Sequence, residues 1–294
     1  MSAVVVTGLV KRYGPVTAVR DVCFELPAGR VTALLGPNGA GKTTTIEILE
    51  GLLPASGGTV RVLGADPRHG GRAWRARIGL VLQSTSLDAH LTVREALGLH
   101  GGLYPRPRTV PEVLEIVGLT DAANRRIGAL SGGQQRRVDL GLGIIGRPEL
   151  LFLDEPTTAL DPEARRRLWT AIENLRSEGT TVLLTTHHME EAQRLADRVI
   201  VLSGGTVVAD TTPELLRGRT SVVRYRAEPG APPLPPELSP GGREVASRTT
   251  DVTAVLEVLT GWAREHGRDL TGIEVGPPTL EDAYLELTRE VSHG

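Results

Sequence analysis

The chain has 294 residues, 40% of them hydrophobic, enough for one large core and a small appendage. Its formal net charge of −2 lacks the basic excess that general nucleic-acid binding requires. Cys23 is the only cysteine, which excludes an intrachain disulfide and a cysteine-based metal cluster, and no apolar window reaches the ~18 residues of a membrane span.

The longest apolar candidate, residues 141–153, is broken by Arg147, Pro148 and Glu149. The N-terminus lacks the layout of a secretory signal, so a soluble chain that reaches a membrane only through a partner is expected. In chain order, residues 1–30 read as strands with turns, first 4–6 and then 19–26. The second of these holds Cys23, expected as a buried structural thiol. Val31–Leu35 is a short apolar run that reads as a buried strand ending in a glycine loop, with helical character over 42–53. A further buried strand over 78–82 ends at Gln83. Residues from about 84 to 147 look mostly helical, and Thr92 followed by Glu95 has capping-box spacing. Residues 150–154, 181–186 and 199–202 are short apolar strands, with an amphipathic helix over 161–177 among them. Strands alternating with helices imply an α/β core built on a largely parallel sheet.

The composition changes after about Arg219. Residues 229–242 (PGAPPLPPELSPGG) read as a loop or linker. Beyond it, 252–265 reads as helix, 270–275 as strand and 280–288 as helix. The expected organisation is a main domain over 1–219, with its helical part at about 84–147, and a small α/β accessory domain over 220–294.

Two segments carry chemistry. Gly36-Pro37-Asn38-Gly39-Ala40-Gly41-Lys42-Thr43 fits G-x-x-x-x-G-K-[ST] between a strand and a helix, with Thr44 next. Glycines let backbone N–H groups close around phosphates, and a helix N-terminus adds partial positive charge. Lys42 would reach the β- and γ-phosphates of ATP, and the Thr43 hydroxyl would help hold Mg²⁺. Lys42 stands out further because the only other lysine is Lys11. The second segment, LLFLDE at 150–155, delivers Asp154 to the mouth of that loop as a Mg²⁺ carboxylate. Glu155 follows, placed to orient and activate an attacking water. Alone, two acids after an apolar run could equally be a strand end.

Leu130-Ser131-Gly132-Gly133-Gln134 precedes a helix, with Ser131 a good cap. LSGGQ is the signature of the ABC ATPase family, and over residues 3–218 the chain resembles that family. The resemblance implies a P-loop NTPase core with an N-terminal antiparallel β subdomain and a helical subdomain. It implies that Tyr13 stacks on adenine, although taken alone Tyr13 reads more readily as ordinary packing. It also implies that Gln83 joins the catalytic and Mg²⁺-binding residues, that 159–161 with Asp161 crosses a dimer interface, and that His187 contacts the γ-phosphate. His188 reads as structural or exposed. Two subunits would pair head to tail, so that Ser131, Gly132, Gly133 and Gln134 act on ATP held by the partner's Lys42.

The tail, residues 278–288 (PTLEDAYLELT), and TTHHMEEA at 185–192 look like the daunorubicin-type drug-resistance branch of type-2 ABC exporters. A plain amphipathic C-terminal helix packing on a core accounts for the tail pattern equally well. The branch resemblance implies export through a separate membrane-spanning permease, from the cytoplasmic face of the membrane. With lysine only at 11 and 42, the N-K-x-D motif of GTPases cannot occur. A non-transport ABC ATPase acting on DNA or ribosomes is the other reading, disfavoured by the neutral charge and single cassette.

Overall fold

The computed structural model describes residues 1–82, 87–158, 160–218, 220–228, 230–236, 238–239 and 244–292. They form two compact units, Met1–Thr212 and Pro213–Gly294. The short helix Pro213–Arg217 therefore goes with the second unit, a few residues ahead of the composition change.

The first unit opens with a hairpin of β1 (Ser2–Tyr13) and β2 (Val16–Pro27), then β3 (Val31–Leu35), α1 (Lys42–Leu49) and β4 (Gly57–Val62). β4 pairs antiparallel with β1, setting Val4 opposite Val62 and Val6 opposite Val60, in a sheet ordered β2-β1-β4. Along β2, Val22, Phe24 and Leu26 are buried. A strand's side chains alternate between faces, so Cys23 lies on the other one. Cys23 is therefore exposed, not buried as expected, and its Sγ accepts the Gly8 N–H at 3.0 Å.

After α2 (Arg72–Arg75) comes β5 (Ile78–Val81), an edge strand of the main sheet to which β3 also belongs. The helical region follows as α3 (Val93–Gly101), α4 (Val110–Ile116) and α5 (Gly132–Ile144). Thr92 with Glu95, and Thr109 with Glu112, close capping boxes that start the first two of these helices. Then come β6 (Leu150–Asp154), α6 (Pro162–Ser177), β7 (Thr181–Thr185), α7 (Met189–Leu195), β8 (Arg198–Ser203) and β9 (Thr206–Thr211).

The sheet runs β5-β6-β7-β3-β8-β9, parallel except for β9. Strand β9 turns back through Gly204 and Gly205, whose φ values of 56° and 84° suit a two-residue hairpin turn. All five residues of β3 are buried, as a central parallel strand covered on both faces requires. Leu34, Phe152, Leu183 and Ile200 of this sheet share one core with Val4, Val22 and Leu26 of the antiparallel sheet. Each such side chain contributes about 1.5–3 kcal/mol on burial. That core takes residues from β3, β6 and β7, whose C-terminal ends lead into the loops of the site.

The second unit comprises α8 (Pro213–Arg217), β10 (Ser221–Arg226), β11 (Glu244–Thr249), α9 (Val252–Glu265), β12 (Glu274–Gly276) and α10 (Leu280–Ser292). Its sheet is antiparallel, ordered β11-β10-β12. Val223, Tyr225, Val245, Leu259 and Trp262 form its core. The proline-rich stretch is not a free linker where it is described. Leu234 is buried in this core, and the Trp262 indole N–H donates to the Pro233 carbonyl at 2.9 Å.

Candidate nucleotide site

Strand β3 ends in the loop 36–41, and α1 starts at Lys42. Gly41 sits at φ 95°, and a Cβ there would come 2.7 Å from the Ala18 carbonyl oxygen. A Cβ on Gly36 would come 2.4 Å from the carbonyl of Leu202. Both positions therefore need glycine for backbone approach. The Lys42 ammonium arches back over the loop, donating to the carbonyls of Gly36 at 2.7 Å and Pro37 at 3.0 Å. Burial lowers its pKa from the ordinary lysine value, against the pull of Glu155 and Asp154.

Lys42, Thr43, Thr44, Asn38, Gly39 and Gly41 share a cavity of about 340 Å³ with Asp154 and Glu155. Asp154 is brought there by the buried strand β6, and its Oδ1 accepts the Thr185 hydroxyl at 2.5 Å. The Glu155 N–H is held by the Thr185 hydroxyl and carbonyl, both at 3.1 Å. The Glu155 backbone adopts φ 45°, an uncommon conformation for a non-glycine residue. Its Oε2 accepts the Thr158 hydroxyl at 3.2 Å, and Oε1 lies 3.4 Å from His187 Nδ1. His187 thus stands beside Glu155 without lining the cavity, with its ring centroid 4.0 Å from that of the half-buried His188. Burial and the neighbouring His187 charge lower the His188 pKa below the ordinary histidine range. Thr185 is the residue that sequence reasoning did not single out. Its only signal was a hydroxyl closing an apolar strand, one position before the Thr-His pair.

Thr43 and Asp154 present a hydroxyl and a carboxylate to one cavity, a hard-oxygen set that suits Mg²⁺. Gln83 lies outside the described residues, as does Ala159. Tyr13 ends β1 and does not line the cavity. Its ring is exposed and carries the Lys11 ammonium 5.1 Å from its centroid.

The LSGGQ segment lies elsewhere. Ser131 caps α5, its Oγ accepting the Gln134 N–H at 3.3 Å, while Gln134 Oε1 accepts the Ser131 N–H at 3.1 Å. Ser131, Gly133, Gln134 and Asp161 line a second cavity of about 480 Å³ with Arg125, Arg137 and Arg167, and it shares no lining residue with the first. Gly132 is exposed beside it. The Asp161 carboxylate caps α6, accepting the N–H groups of Glu163 and Ala164 at 2.9 Å each. Those backbone bonds, led by that of Ala164, hold its pKa below the usual aspartate range.

Residues 19–158 match the family model described as ABC transporter, and residues 221–279 match that of an ABC transporter domain-containing protein-like C-terminal domain. The chain is 38% identical to daunorubicin resistance ATP-binding protein DrrA3 of Streptomyces coeruleorubidus, covering 98% of this chain and 96% of that one. It is 39% identical to Nod factor export ATP-binding protein I of Rhizobium johnstonii, covering 97% and 94%. Among solved structures, an ATP-binding subunit of an ABC transporter superposes with TM-score 0.66 at 28% identity, covering 74% of this chain and 92% of that one. An ATP-binding cassette solved as a dimer in a post-hydrolysis state with ADP and Pi superposes with TM-score 0.64 at 26% identity, covering 71% and 98%.

Proposed function

Because the chain belongs to the ABC transporter family as an ATP-binding subunit, we propose that it hydrolyses ATP between two head-to-tail copies and so drives export through a separate membrane permease. The observation that carries this reading is the separation of the two cavities within one subunit. The phosphate loop and the LSGGQ turn line different cavities with no residue in common, which favours a nucleotide enclosed in trans. Pairing two copies head to tail brings each signature turn onto the other's ATP, and closure then depends on both subunits.

In this reading the backbone of 36–44 cradles the phosphates, and Lys42 shifts its donors from the loop carbonyls to the β- and γ-phosphates. Thr43 and Asp154, with Gln83, would hold Mg²⁺, which would supply neutralising charge to the phosphates. Glu155 takes a proton from the attacking water, and His187, 3.4 Å away, steadies that carboxylate and the γ-phosphate. Tyr13 supplies the adenine platform. Ser131 through Gln134 and Asp161 complete the partner's site. The first unit is the ATPase domain and the second an accessory domain.

Among the described residues no helix is long and apolar enough to cross a membrane. The permease is assigned to another chain, with this one peripheral on the cytoplasmic face, on the likeness to ATP-binding proteins of drug resistance and Nod factor export. A cavity of about 800 Å³ walled by Arg72, Arg75, Leu103 and Tyr104, with Leu99 and Leu103 exposed, supplies a docking surface for it. The export direction follows the drug-resistance and Nod-factor export relatives.

The Glu155→Gln variant tests the proposal. It should bind ATP, form an ATP-dependent dimer by light scattering and lose turnover by about 100-fold or more, the lower range for a general base. Expressed with a tag in its host, it should co-purify with a multi-spanning membrane protein. Near-parental turnover would remove Glu155 from the chemistry, and capture of ribosomes or DNA-processing proteins instead would overturn the transport assignment.

A further inference from the structure

Arg136 lies on α5, two residues beyond the signature glutamine, and is 8% exposed. Its guanidinium is spent on main-chain carbonyls. Nε donates to Pro156 at 3.0 Å, Nη2 to Asp154 at 2.8 Å and Glu155 at 3.2 Å, and Nη1 to Leu82 at 2.5 Å. Nη1 also lies 3.8 Å from the Asp139 carboxylate, one turn along the same helix. One side chain thus grips three successive carbonyls around Glu155 and the carbonyl just before Gln83. On the other side, Thr185 holds the Glu155 N–H. A non-glycine backbone at φ 45° persists only where its surroundings over-determine it, and these bonds are what over-determine it here.

The same helix carries the Ser131 cap at its start, so a shift of α5 moves the guanidinium and the Glu155 backbone together. We propose that Arg136 is a positioning residue that couples the seating of the signature turn on the partner's ATP to the placement of Glu155 in its own subunit. This rests on the head-to-tail ATPase reading. The fork geometry is what the task needs. Arginine offers five N–H donors in a fixed plane, whereas a lysine ammonium is a point charge with three donors and cannot span four carbonyls.

The test compares parent, Arg136→Lys and Arg108→Lys as purified full chains, measuring MgATP turnover, KM, nucleotide affinity and melting temperature. Arg108 is a second buried arginine, paired with Glu178 at 2.6 Å. Arg136→Lys should lose kcat by about tenfold or more, equivalent to about 1.4 kcal/mol of barrier, with KM and nucleotide affinity near parental. Arg108→Lys should keep parental kcat. A folded Arg136→Lys with parental kcat overturns the proposal, as does an equal loss in Arg108→Lys. Should Arg136→Lys not fold, Arg136→Gln takes its place with the same readouts. Loss of the fold in both assigns Arg136 to stability alone and also overturns it. A parent that neither binds nor hydrolyses ATP would instead defeat the ATPase reading itself.

Discussion

Glu50, at the C-terminal end of α1, offers a quantitative test of how tightly the site is packed. It is 6% exposed. Burial, with the nearby negative charges of Asp154 and Glu47, raises its pKa from 4.5 to about 8. The folded chain therefore keeps this proton where the unfolded chain has lost it. The stability associated with the neutral carboxyl is fully present below 4.5 and is lost as pH rises toward about 8. Within that window the slope approaches about 1.4 kcal/mol per pH unit, the value of one pKa unit, because the folded and unfolded chains differ by one bound proton. Glu50→Gln is neutral at every pH and removes this component. Urea unfolding of both proteins, without nucleotide and with a chelator so that the Asp154 charge is uncompensated, gives two stability curves. The variant should gain on the parent by about 3–4 kcal/mol between pH values of about 5 and 8. Other titrating groups are common to both chains and cancel in the difference. Parallel curves would refute the reasoning and would mean that Glu50 is solvated or ionised in the fold.

Gly41→Ala should fold but bind ATP at least about tenfold more weakly. Alanine at a left-handed φ costs about 1–2 kcal/mol, and its Cβ would meet the Ala18 carbonyl at 2.7 Å. A fluorescent-nucleotide titration reads the loss, and unchanged affinity would mean that the loop relaxes freely. Ser131→Ala removes the α5 cap and should destabilise the chain by about 1 kcal/mol. Turnover should fall while nucleotide affinity of the subunit's own phosphate loop stays parental, because Ser131 does not line that cavity. A matching loss of affinity in the monomeric variant, where no partner's turn reaches the nucleotide, would contradict the separation of the two cavities.

The sequence alone determined the phosphate loop, the LLFLDE strand and the LSGGQ cap. Each is contiguous, and each combines a glycine or capping requirement with a buried apolar run. The buried strands of the main sheet and the helix over 161–177 were legible for the same reason, since their apolar periodicity is local. β4 and β9 were not, because Gly57–Val62 and Thr206–Thr211 carry few apolar residues and owe their strand state to pairing with β1 and β8. The exposure of Cys23 is not legible in the sequence, because the face a strand residue occupies is decided by which side meets the core. Leu234 showed a similar limit, since a proline-rich composition does not reveal that one of its residues fills a core.

Only the tertiary structure decided what surrounds the chemistry. Thr185 meets Asp154 and Glu155 because β6 and β7 are parallel neighbours in register, though about thirty residues separate them in the chain. Arg136 reaches the Glu155 carbonyl because α5 packs on β5, the strand beside β6, and its guanidinium spans to the end of β6. Contacts between distant segments depend on how the whole chain closes, and no local pattern encodes them. The separation of the phosphate and signature cavities is of this kind: both motifs stand plainly in the sequence, but only the fold places them on different surfaces.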